Sequence, residues 1–103
     1  MFGRRRFKDL IDRQLALFAE EHGDLIGEVR EAERAYDRAA RDEAEERYGD
    51  YSDLVETATE ILADTRDHFA ATLDEEAADL YCDAFNRAVL KRWPPFALEI
   101  ENR

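Results

Sequence analysis

Residues 7–48, FKDLIDRQLALFAEEHGDLIGEVREAERAYDRAARDEAEERY, decide how this chain folds. Apolar or small residues recur at Phe7, Ile11, Leu15, Phe18, Leu25, Val29, Ala32, Tyr36 and Ala39, and His22 fills the step between Phe18 and Leu25. The steps alternate between three and four, the period of a helix with one apolar stripe. The phase continues through Gly23, which a loop at His22-Gly23-Asp24 has no reason to preserve. Gly23 and Gly27 each cost a helix interior about 1 kcal/mol relative to Ala. The pattern therefore predicts one long helix over 7–48, bent at Gly23 if anywhere, with two helices folded back at Gly23 as the alternative. His22 lies on the stripe and reads as a partly buried histidine at a helix contact.

Gly49 after Tyr48 is placed to close that helix in the left-handed conformation, and Asp50 or Ser52 to cap the next, so a turn is expected at 49–52. A helix over 52–71 follows, with Leu54, Val55, Ala58, Ile61, Leu62, Thr65 and Phe69 on one face. Thr72 and Glu75 have the spacing of a capping box, which starts another helix over 73–92. Its apolar positions are Ala77, Leu80, Tyr81, Ala84, Phe85, Ala88 and Val89. Pro94 and Pro95 end it near Arg92. In the tail, 93–103, Phe96, Leu98 and Ile100 share a side if the chain is extended, which reads as an arm lying in a groove.

The fold class is all-α. A long N-terminal helix and two antiparallel helices make a three- or four-helix bundle within one domain, as 103 residues allow. A helix of about 42 residues is roughly 63 Å long, and helices of about 20 residues reach roughly 30 Å. Half of the long helix is then left without cover from its own chain. Phe7, Leu10, Ile11, Leu15, Phe18 and Leu25 form the expected self-association face, and a homodimer the expected assembly. The Ala-rich stretch from Arg30 to Arg47 is supported by opposite charges four apart, Asp37 with Arg41, Arg38 with Asp42 and Glu43 with Arg47.

Charge narrows the partner classes. The chain carries 26 acidic and 15 basic residues, a net charge of −11, which disfavours nucleic acid and anionic lipid. Asp53, Glu56, Glu60, Asp64 and Asp67 lie in a stretch whose one base is Arg66, and read as an exposed face able to dock a basic protein. The basic end, residues 1–6 with Arg4, Arg5 and Arg6, has the paired arginines of an export signal, but Asp9, Asp12 and Arg13 interrupt the apolar region such a signal needs. No run reaches the ~20 apolar residues of a membrane span. With one cysteine, Cys82, no intrachain disulfide forms. A cytoplasmic, unprocessed protein is expected, and the arginine-rich usage suits a high-GC bacterial genome.

Chemistry finds little purchase. His22 and His68 follow Ala19 and Thr65 by three residues, so neither belongs to the Glu-x-x-His element of di-metal bundles. The nearest metal-ligating line is Glu60, Asp64 and His68, which falls on the face away from Leu54, Ala58 and Ile61. Cys82 reads as half-buried or core, and Ser52 as a helix cap. No cofactor and no catalytic residue is expected. The leading reading is a non-enzymatic interaction and self-association module. The competing class is a small metal- or thiol-dependent helical enzyme using Glu60, Asp64 and His68, or Cys82.

Overall fold

A computed structural model describes residues 6–103, so Arg4 and Arg5 of the basic end lie outside the described residues. These residues form five α-helices and no strand: α1 (Lys8–Glu21), α2 (Gly23–Asp37), α3 (Ala44–Ala70), α4 (Glu75–Arg92) and α5 (Ala97–Glu101). A single 3-10 turn, Pro94–Phe96, joins the last two.

The N-terminal stripe is interrupted at one residue, His22, with φ −123° and ψ 32°. The amide of His22 still donates to the Phe18 carbonyl at 2.8 Å, and that of Ile26 to the His22 carbonyl at 3.1 Å. The ladder thus crosses the break, which is a bend and not a fold-back. Ile26 and Val29 continue the buried line of Phe7, Ile11, Leu15 and Phe18, while Leu25 is half-buried.

Three expectations are corrected by the structure. The rod ends at Asp37, and the chain turns over 38–43, where nothing local demands it: the segment has neither Gly nor Pro. Gly49, Asp50 and Ser52 lie inside α3 and no glycine among the described residues has positive φ, so the turn at 49–52 is absent. What decides the matter is tertiary. Turning at 38–43 lets α3 run back along α2 while its far half buries Val55, Ala58, Leu62 and Ala63 in the core. The turn also removes the helical register that would pair Asp37 with Arg41 and Arg38 with Asp42. The short ion pairs on the hairpin are Arg34 to Glu31 at 2.6 Å and Arg47 to Asp50 at 3.8 Å.

The second correction concerns the caps and tail. Asp74, in extended conformation, accepts from the Ala77 amide at 2.8 Å, while the Thr72 hydroxyl donates back to the Phe69 carbonyl at 2.7 Å, so Thr72 and Glu75 make no capping box. After Trp93 the tail is helical and not an extended arm. The i, i+4 pair Phe96 and Ile100 is buried, whereas Leu98, expected on their side, is 71% exposed.

The third concerns cover. Phe7, Ile11, Leu15 and Phe18 are buried within the chain, because α4 packs on α1. Phe7 meets Tyr81 edge-on at 5.4 Å between ring centroids, and Phe18 meets Trp93 at 5.3 Å. The rod is shorter than expected and α3 longer, so that α3 reaches past the bend and delivers α4 to α1.

The molecule measures 50 × 24 × 22 Å. Its body joins α1, the C-terminal half of α3, α4 and α5 around Leu15, Leu62, Tyr81, Phe85, Val89, Phe96 and Ile100. From it projects the hairpin formed by α2 and the N-terminal half of α3.

Candidate interaction surfaces

Arg66 governs how the surface is laid out. It is 4% exposed, its Nη1 donates to the Ile100 carbonyl and to Asn86 Oδ1, both at 2.9 Å, and its Nε to Asp67 Oδ1 at 2.8 Å. One guanidinium thereby ties α3, α4 and α5 together, with every donor it buries given an acceptor. In the sequence it stands as the one base of an acidic stretch, with no signal of burial.

With α3 so fixed, Asp53, Glu56, Glu60, Asp64 and Asp67 are all exposed along its outer side. Asp67 is paired with Arg66, and Glu56 stands 4.0 Å from Arg103. Asp53, Glu60 and Asp64 make no ion pair among the described residues.

Glu60, Asp64 and His68 are all exposed, and among the described residues no three His, Cys, Asp or Glu side chains converge on a metal position. Asp64 and His68 do share an open depression with Gln14, Thr65 and Phe69, but no third ligand joins them there. Cys82 is half-buried on α4, and burial pushes its thiol pKa up, the opposite of an activated thiolate. Ser52 is half-buried within α3 and caps no helix. His22 is half-buried, its ring 5.2 Å from that of Phe18. Tyr81 is wholly buried and donates to Gln14 Oε1 at 2.9 Å, and burial lifts its phenol to about 12. Its place between α4 and α1 is structural.

Of the expected self-association residues, Leu10 and Leu25 are half-buried and the other four are core. Two surfaces that sequence reading did not single out are more open. On the hairpin, no residue from Arg30 to Leu54 is fully buried. Ala32, Ala35 and Leu54 floor a groove of about 260 Å³ on one side, rimmed by Glu31, Arg47 and Asp50. On the other, Tyr36 and Tyr48 meet edge-on at 5.3 Å while 38% and 52% exposed. Burial, with Glu33 beside it, raises the pKa of the neighbouring Tyr51.

The second surface is a groove of about 440 Å³ between α1 and α4, floored by Ile11, Ala84, Ala88 and Leu90 and rimmed by Lys8, Asp12, Arg87 and Lys91. Lys8 donates to Asp12 at 2.7 Å, which holds the Asp12 carboxyl below its ordinary range, and Arg92 reaches the same carboxylate at 3.2 Å. Arg87 pairs with Asp83 at 3.2 Å, and Lys91 makes no ion pair among the described residues. The spacing of Ile11 with Ala84 and Ala88 becomes legible as a groove only once α1 is known to lie on α4.

No family model, curated protein or solved structure matches this chain. Among the described residues no helix is long and apolar enough to cross a membrane.

Proposed function

We propose that this chain is a non-enzymatic interaction module that forms a homodimer through the projecting α2–α3 hairpin, leaving the acidic outer face of α3 for a basic protein partner. The observation that carries this reading is the hairpin itself: 25 consecutive residues, Arg30 to Leu54, without one fully buried side chain. A two-helix unit covers only one side of each apolar stripe, and a second hairpin supplies the missing layers of a four-helix bundle.

A second copy is the partner proposed. Arg30 and Arg34 on α2 and Arg38 just past its end recur every four residues, Arg34 being paired with Glu31, whereas α3 presents Glu46, Asp50 and Asp53, all exposed, Asp50 lying 3.8 Å from Arg47. A two-fold arrangement that sets α2 of one copy beside α3 of the other pairs opposite charges twice by symmetry. The single cysteine, Cys82, suits a reducing compartment, and the cytoplasm is the proposed location.

Sedimentation velocity of the full chain tests the proposal. A dimeric mass is expected at micromolar concentration, and Tyr36→Ala with Tyr48→Ala is expected to return it to the monomer with its helical circular dichroism intact. A wild-type chain that remains monomeric up to millimolar concentration overturns it.

A further inference from the structure

Leu98 is the most exposed large apolar side chain among the described residues, at 71%. It is also held in place. Phe96 and Ile100 on either side of it are buried, and the Arg66 guanidinium grips the Ile100 carbonyl at 2.9 Å. Little freedom is left to lose if Leu98 meets a partner. Glu99 and Glu101 follow it in α5 and form no ion pair among the described residues.

The groove between α1 and α4 has the complementary chemistry. Its floor is Ile11, Ala84, Ala88 and Leu90, and about 440 Å³ is ample for a leucine side chain. Its rim holds Lys8, Arg87 and Lys91 with Arg92 alongside; Lys8 and Arg92 share Asp12, Arg87 pairs with Asp83, and Lys91 makes no ion pair among the described residues, which leaves a net basic edge on a chain of net charge −11. The acidic stripe of α3 offers this groove charge but no large apolar side chain. α5 offers both.

We infer that this groove seats Leu98 of a second copy of the chain, with Glu99 and Glu101 of that copy meeting Lys91 and Arg87 at its rim. The chain's own Leu98 does not fill it, since α5 packs on α3 and α4 with Leu98 turned to solvent. The contact joins two different surfaces and, made head-to-tail and not twice across a two-fold axis, extends assembly past a pair. It adds to the hairpin contact and shares with it only the premise that copies of this chain associate.

Sedimentation velocity across a concentration series of the full chain reads it out. Species larger than a dimer are expected to grow with concentration in the wild type and to weaken with added salt. Leu98→Ala is expected to weaken them about tenfold, and Leu98→Glu to abolish them. Lys91→Glu alone, or Glu99→Lys alone, is expected to remove them as well, and the two substitutions combined to restore them. Dimers that persist with no larger species, or larger species indifferent to Leu98→Glu, overturn this contact and leave the hairpin reading standing. Loss of the dimer in the Tyr36 and Tyr48 variants while Leu98-dependent association persists separates the two in the other direction. A wild type that stays monomeric overturns both.

Discussion

α3 passes through two environments. From Val55 to Arg66 it buries Val55, Ala58, Thr59, Leu62, Ala63 and Arg66, and from Ala44 to Leu54 no residue is fully buried. The helix is continuous, so the difference lies in what surrounds it. In the body α3 packs against α4, α5 and the 3-10 turn, whereas the hairpin gives it α2 alone. In the body the aromatic residues interlock, as Tyr81 does with Phe7, Phe69 and Phe85 at centroid distances of 5.4, 4.8 and 5.9 Å. In the hairpin Tyr36 and Tyr48 meet edge-on at the surface. Deep burial belongs to the body, and the hairpin leaves apolar surface exposed at Tyr36 and Tyr48.

The sharpest way to break that comparison is to truncate one side chain in the body. Phe85→Ala removes a fully buried ring and is expected to cost about 3–5 kcal/mol in urea unfolding. Ala substitution at Tyr48, measured on the monomer, is expected to cost well under half as much; equal losses would erase the distinction. Next in size is Arg66→Ala. It strands the Ile100 carbonyl and Asn86, with an expected loss of about 2–3 kcal/mol and faster amide exchange in α5. Arg66→Lys is expected to rescue only part of it, since a single ammonium does not reproduce the planar fork.

Tyr81→Phe is expected to cost about 1 kcal/mol through the lost bond to Gln14. It also changes the alkaline limb. In the folded chain the Tyr81 phenol is lifted from 10.0 to about 12, so the stability it confers by staying neutral is whole below pH 10. That stability is lost as pH rises from 10 through about 12. Absorbance titration should show one phenol ionising near 12 that is missing in Tyr81→Phe. The smallest effect has the opposite sign. A Cβ at Gly49 meets no atom within 4 Å and the residue is helical, so Gly49→Ala is expected to stabilise by up to about 1 kcal/mol. Destabilisation would mean that the chain turns there after all.

Much of the body was legible because its signals are periodic and repeated. Phe7, Ile11, Leu15 and Phe18 declare a buried face by spacing alone, as do Ala77, Tyr81, Phe85 and Val89, and Pro94 marks the end of α4. The 38–43 turn was not legible, because its residues favour helix and the reason to stop is the pairing of α2 with α3. Gly49 misled in the converse way: a good terminator by local rules is carried through by the packing of the helix beyond it. The tail misled through parity. Phe96, Leu98 and Ile100 alternate as a strand does, but only Phe96 and Ile100, one helical turn apart, find cover. Arg66 showed no sign of burial, since a charge inside a helix bundle is tolerated only when distant acceptors such as Asn86 and the Ile100 carbonyl converge on it.

By itself, then, the sequence determined that the described chain is helical, which faces of α1 and α4 are apolar, and that the outer face of α3 is acidic. Those properties reside in side-chain spacing and survive any arrangement of the helices. Only the tertiary structure decided that α4 covers Phe7 to Phe18, that the hairpin from Arg30 to Leu54 stands apart, and that Leu98 faces solvent. Each depends on contacts between residues far apart in the chain, and burial, unlike periodicity, is a property of the neighbours.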